Sequence, residues 1–172
     1  MSKTALLIVD AQNEMFDAAN PVDQSEKLLE NLQSLLQKAR SAKVPVIYVQ
    51  HNDAGLVKGT DFWQIHSSLT PEEGDVVIQK WAANSFQETE LSETLKNEGI
   101  QKLVIGGNQT EHCIAATTRR ASDLGFDVVL VKDAHGTWDS DDFTAKQIIN
   151  HQNELLSHFA TLQGTNEITF EQ

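Results

Sequence analysis

The chain is poor in the residues that would specialise it. It has one cysteine, which excludes an intrachain disulfide. Three prolines and nine glycines are scattered, and no Pro/Gly/Ser-rich stretch or charge block divides the sequence, so residues 1–172 are read as a single domain large enough for a substantial core. Basic residues are few, 13 against 25 acidic, giving a net charge of -12. That charge repels phosphate backbones and anionic lipid surfaces, so nucleic acid and membrane are poor partners and a small-molecule ligand is expected. No apolar run approaches the length of a membrane span. Ala5–Val9 is short, lacks the basic flank of a signal peptide and is closed by Asp10, so a cytoplasmic protein is expected. No internal repeat is present at solenoid periods.

What is present is alternation. Thr4–Val9, Val44–Gln50, Asp75–Gln79, Lys102–Ile105 and Asp127–Val131 are short β-branched, mostly apolar runs of the kind buried on both faces, and Glu167–Phe170 reads as a late edge strand. Leu28, Leu32, Leu35 and Ala39 fall at helical spacing. Further helices are expected over Glu88–Asn97, Glu111–Leu124 and Thr144–Leu162, with Gly99 and Gly125 after two of them. Strands alternating with helices imply an α/β fold: a three-layer αβα sandwich around a mostly parallel, roughly six-stranded sheet. Ligands of such folds bind outside the carboxyl ends of the strands.

That rule selects residues. Asp10 ends the first strand, Lys80 ends the third, and Cys113 follows the fourth across the loop Gly106-Gly107-Asn108-Gln109-Thr110. A thiol in the first turn of a helix meets unpaired backbone N–H groups, which stabilise a thiolate, so a lowered pKa is expected for Cys113. An acid, a base and a thiol at one sheet edge can perform nucleophilic chemistry. Each also has a plainer reading: Cys113 as a small buried hydrophobe, Asp10 as a turn cap and Lys80 as a solvated strand end. Spacing alone leaves the two sets of readings open.

The segments Leu6-Leu7-Ile8-Val9-Asp10-Ala11-Gln12-Asn13, Ile78-Gln79-Lys80 with Ser85-Phe86 and Thr89, and Gly107-Asn108-Gln109-Thr110-Glu111-His112-Cys113 with Thr117 and Ala121 resemble the isochorismatase-like cysteine hydrolases. Asp133-Ala134 matches a further pair of that family. The resemblance, which includes nicotinamidases and N-carbamoylsarcosine amidohydrolases, spans roughly Ala5 to Ala134. It implies a triad of Asp10, Lys80 and Cys113, a cis peptide at Asn108-Gln109, an oxyanion site from the backbone N–H groups of Gln109 and Cys113, and a homodimer or higher homo-oligomer. Members that hydrolyse a vinyl ether generally lack the cysteine, so cleavage of an amide, carbamoyl or related C–N bond through a Cys113 thioester is the expected activity. Vinyl-ether hydrolysis and a non-catalytic binding or scaffold descendant are the alternatives.

Nicotinamidases add a metal held by an Asp-x-His pattern. Here Asp53 is followed by Ala54 and Gly55, and His51 and His66 are read as hydrogen-bonding or solvated residues, so neither metal nor other cofactor is expected. The 51–70 loop should cover one side of the pocket. Phe16, Trp81 and His112 are the candidate substrate contacts, while Phe62, Trp63, Phe86 and Trp138 also lie near the active edge in sequence. Asp133 is read as structural. A phosphoryl receiver would need an acidic cluster where Ala11 and Gln12 follow Asp10, and a nucleotide-binding module would need a phosphate-loop fingerprint that Gly106-Gly107 does not provide.

Overall fold

The computed structural model describes residues 3–170. Six strands, β1 (Lys3–Val9), β2 (Val46–His51), β3 (Val76–Lys80), β4 (Ile100–Asn108), β5 (Asp127–Gly136) and β6 (Thr161–Gln163), form one sheet in the order β3-β2-β1-β4-β5-β6. Every pairing is parallel. Helices α1 (Ser25–Ser41), α2 (Leu91–Asn97), α3 (Ala115–Asp123) and α4 (Ala145–Leu156) cover its two faces.

The period-two geometry of a strand divides the core. Ala5, Leu7 and Val9 point into one apolar cluster with Leu91 and Leu95 of α2, Ala121 of α3 and Leu156 of α4. Leu6 and Ile8 point into the other, against Leu28, Leu32, Leu35, Leu36 and Ala39 of α1. A strand buried on both faces has no polar alternation, which is why these runs are apolar throughout.

The chain runs outward from β1 to β3, then returns to place β4 on the other flank of β1. The gap between the carboxyl ends of β1 and β4 is therefore the topological switch point, where ligands of such sheets bind. Close approach is built in there. Gly107 pairs with Val9 and has φ +128, and a Cβ at this position would collide with the Val9 carbonyl. Only glycine permits both the conformation and the contact.

Two expectations at the C-terminus are corrected. The helix over Thr144–Leu162 stops at Leu156, and its last residues instead form β6, paired with Val129–Val131. A capping box between Thr144 and Gln147 fixes the start of α4, but the apolar residues Leu155, Phe159 and Leu162 continue a helical spacing past its true end. Glu167–Phe170 is not a strand. Thr165–Glu167 forms one 3-10 turn, and the Lys38 ammonium of α1 donates to the Thr165 and Ile168 carbonyls at 2.7 and 3.1 Å. The segment is anchored by a side chain and by buried Ile168, with no backbone ladder. Nearby, Asp133 accepts from the Thr165 N–H and hydroxyl at 2.8 and 2.7 Å, so it ties β5 to this segment.

Candidate active site

Asp10 leaves the end of β1 in a left-handed conformation (φ 48), which an aspartate tolerates better than most residues. Its N–H donates to the Val49 carbonyl at 2.8 Å, and its own carbonyl accepts from Asn108 Nδ2 at 3.2 Å. The Asp10 backbone is thus fixed between β2 and β4. Lys80 ends β3 in register with His51 of β2 and is fully buried. Its Nζ reaches across the β2 end to lie 3.4 Å from Asp10 Oδ2 and 3.1 Å from Cys113 Sγ. It also donates to the Ala82 carbonyl at 2.9 Å and to His51 Nδ1 at 2.7 Å. The three side chains expected at this edge are brought together.

Cys113 lies in a π-helical turn, Thr110–Ile114, ahead of α3, so the expected α-helix over Glu111–Leu124 begins one turn later. The Gln109 carbonyl accepts from His112 and Ile114, both at 3.1 Å, passing over the Cys113 N–H between them. The Asn108-Gln109 peptide is cis. The Gln109 side chain donates to Thr137 Oγ1 at 3.1 Å, and Thr137 in turn donates to the Glu111 carboxylate. Buried His135 joins this turn to α4, with Thr110 Oγ1 at 2.8 Å from Nδ1 and Asn153 Oδ1 at 2.8 Å from Nε2.

The expected lowering of the Cys113 pKa is overturned. Burial, reinforced by the negative charge of Asp10, pushes the thiol up to about 12, against the opposing pull of Lys80. The local field of the helix start is outweighed by desolvation. Burial likewise raises Asp10 above the ordinary carboxylate range, although Lys80, a hydrogen bond with Cys113 and His51 all act in the opposite direction. Burial and the Asp10 charge therefore favour the protonated thiol.

Around this centre runs a network that the sequence motifs did not single out. Gln12, fully buried, accepts from the His51 N–H and donates to the His51 carbonyl, both at 2.9 Å, and donates to the Trp63 carbonyl at 3.0 Å. Gln50 donates to that same carbonyl at 2.8 Å, while Trp63 Nε1 donates to Asn52 Oδ1 at 2.9 Å. These amides fasten the 52–66 loop to the sheet edge. Gln12 lies in the segment after the strand-end aspartate, but no local pattern connects it to His51, Gln50 or Trp63.

The remaining candidates separate. Phe16 meets His66 edge to face, with ring centroids 5.3 Å apart, and packs on the α1-side core. Trp81 follows Lys80 and is 68% exposed. His112 is exposed and lines a different groove of about 600 Å³ with Glu111, Phe143 and His151. His66 accepts from the Ser68 N–H at 3.1 Å.

Asp10, His51 and Cys113 each offer one ligand atom, all within 4.8 Å of one another. A divalent cation does not fit this set as it stands. The Lys80 ammonium already contacts all three, and its charge would oppose a metal in the same space. His51 Nε2 is engaged by Asp53 Oδ2 at 3.1 Å.

Comparison with known proteins identifies the family of this fold. Residues 4–166 match the isochorismatase domain. The secreted isochorismatase effector Isc1 of Verticillium dahliae is 33% identical over 170 residues, covering 96% of this chain and 90% of Isc1. A streptothricin hydrolase of Streptomyces noursei is 36% identical over 138 residues, covering 78% of this chain and 50% of that protein. More distant relatives are named nicotinamidase, in Arabidopsis thaliana, and ureidoacrylate amidohydrolase, in Agrobacterium fabrum. The crystal structure of a putative isochorismatase hydrolase from Oleispira antarctica superposes with a TM-score of 0.91 at 35% identity, covering 96% of this chain and 95% of that one. With the parallel sheet, its switch-point site and a domain match along nearly its whole length, the chain belongs to the isochorismatase family.

Proposed function

We propose that the protein is a cysteine hydrolase that cleaves an amide, carbamoyl or related C–N bond of a small molecule. The observation that carries this reading is the placement of buried Lys80 Nζ against both Asp10 Oδ2 and Cys113 Sγ. Relatives whose names denote amide-cleaving enzymes support the bond class.

The chemistry follows from the charges. Asp10 removes the thiol proton as Cys113 attacks the carbonyl, and negative charge passes through sulfur to the carbonyl oxygen. Lys80 stabilises that charge without moving, and the backbone N–H groups of Gln109 and Cys113 are the proposed oxyanion donors. Asp10 returns the proton to the departing nitrogen, leaving a thioester on Cys113. Water, deprotonated by Asp10, adds to the thioester, and the acid leaves as the thiol regains its proton. Phe16 and Trp81 are the aromatic residues proposed to border the substrate, whereas His112 faces the separate groove beside α4.

A panel of small primary amides, carbamoyl compounds and imides, assayed for released ammonia or amine, tests the reading. Cys113→Ala should abolish release from any accepted compound, and mass spectrometry of quenched wild-type enzyme should find an acyl group on the Cys113 peptide. Wild-type turnover by Cys113→Ala would remove the thioester and leave Asp10 acting directly as an acid, as vinyl-ether hydrolysis requires. No release from any compound would favour a binding or scaffold role.

A further inference from the structure

We infer that His51, held by Asp53, is a positioning residue that aims the Lys80 ammonium at the Asp10 and Cys113 pair. The inference rests on the proposed roles of those three residues.

An ammonium has three N–H donors and no acceptor. At Lys80 two donors are committed, one to the Ala82 carbonyl at 2.9 Å and one to His51 Nδ1 at 2.7 Å. The third faces Cys113 Sγ at 3.1 Å and Asp10 Oδ2 at 3.4 Å, the two atoms between which negative charge moves. His51 and Ala82 therefore fix the ammonium through two acceptors, and leave one donor free to follow the charge. Losing His51 would free a second donor direction and let the ammonium turn away from sulfur.

The imidazole can serve only in one tautomer. Nδ1 must be bare to accept from Lys80, so the ring proton lies on Nε2, which points at Asp53 Oδ2 3.1 Å away. Asp53 is held in turn: its Oδ1 accepts from the Gly55 and Leu56 N–H groups at 2.8 and 2.9 Å. Gln12 clamps the His51 backbone on both sides. A carboxylate that accepts one ring N–H fixes the orientation and proton placement of the other ring nitrogen, as it does for histidines that bind metals. Here the cation so served is a lysine.

The reactivity of Cys113 toward iodoacetamide reads this geometry without any substrate. At a fixed mildly alkaline pH, His51→Leu should slow alkylation by about tenfold or more, the loss expected when a hydrogen bond to a charged group is removed. His51→Asn, whose Oδ1 takes the place of Nδ1, should react clearly faster than His51→Leu. Asp53→Asn, on a half-exposed side chain whose change spares the core, should also slow alkylation: the Gly55 and Leu56 N–H groups keep the amide oxygen, so its NH2, which cannot accept, faces Nε2 and favours the wrong tautomer. Simple removal of a negative charge would act the other way and speed it. In a Lys80→Ala background the His51→Leu and Asp53→Asn losses should vanish, since both act through the lysine.

Wild-type reactivity in His51→Leu, or a loss undiminished in Lys80→Ala, would overturn the inference. Faster alkylation of Asp53→Asn would overturn the tautomer argument. The amide panel is a separate assay, so failure to hydrolyse any compound would count against the proposed function while leaving the alkylation result to decide the role of His51.

Discussion

Lys80 Nζ sits 3.1 Å from Cys113 Sγ, yet burial and the Asp10 charge push the thiol up to about 12. The cation is outweighed by burial together with the negative charge of Asp10. In the proposed mechanism the Lys80 ammonium meets the charge that develops as Cys113 attacks. Its two charged neighbours pull in opposite directions.

Removing each neighbour should therefore move thiol reactivity oppositely. Asp10→Asn deletes the charge that holds the proton on sulfur, so Cys113 should alkylate faster than wild type at a given pH. Lys80→Ala deletes the stabilising cation and should slow alkylation. Turnover of an accepted substrate should fall in both, by about two orders of magnitude or more for Lys80→Ala, as loss of one preorganised charge typically costs. Lys80→Arg should also be poor, because a planar guanidinium does not fit a fully buried pocket shaped around a compact ammonium. Equal directions for Asp10→Asn and Lys80→Ala in the alkylation assay would contradict the charge arrangement.

The acid side of the pH profile should report Asp10. Its carboxyl is raised, chiefly by burial, and only the ionised form can take the thiol proton. As pH falls, Asp10 is therefore protonated earlier than an ordinary carboxylate with its value near 3.8, and kcat/KM should decline at a correspondingly higher pH. A decline only at or below the ordinary value would mean that Asp10 is not the base.

Exhaustive chelation should leave both alkylation and turnover unchanged. The Lys80 ammonium contacts each of Asp10, His51 and Cys113, and the proposed chemistry uses thiol, carboxylate and ammonium alone. Loss of activity on chelation, restored by added zinc, would show that these donors hold a metal in the working enzyme.

The strand-end rule found Asp10, Lys80 and Cys113 because it depends on sheet topology, which the apolar runs already encode. It could not find Gln12, His51 and Asp53 as a unit, because their relation depends on which loop folds back onto which carbonyl. Gln12 and Trp63 meet through a hydrogen bond spanning 51 positions, and no local pattern marks it. The thiol was misjudged for a related reason. A helix start is visible in sequence, whereas the desolvation that dominates Cys113 arises only once α3 and the sheet close around it. At the C-terminus, apolar spacing extended α4 into residues that the edge of β5 recruits as β6.

The stability of the Thr110–Ile114 turn should depend on pH through His135. Both ring nitrogens are hydrogen-bonded, and Asn153 Oδ1, an acceptor, requires the proton to lie on Nε2, leaving Nδ1 to accept from the Thr110 hydroxyl. Burial lowers the histidine pKa below 6.5, so between the folded value and 6.5 the unfolded chain binds the proton and the native protein does not. Stability contributed here is complete above about pH 6.5 and is lost as pH falls toward the folded pKa. His135→Gln cannot satisfy both partners and should cost about 1–3 kcal/mol near pH 7.5, the range for a buried polar group left unpaired. That cost should shrink on moving to pH 5, because only the wild type carries the penalty of keeping a histidine neutral. Urea unfolding of the two proteins at both pH values measures the difference, and a gap that stays constant or widens on acidification would show that His135 takes up its proton within the folded state.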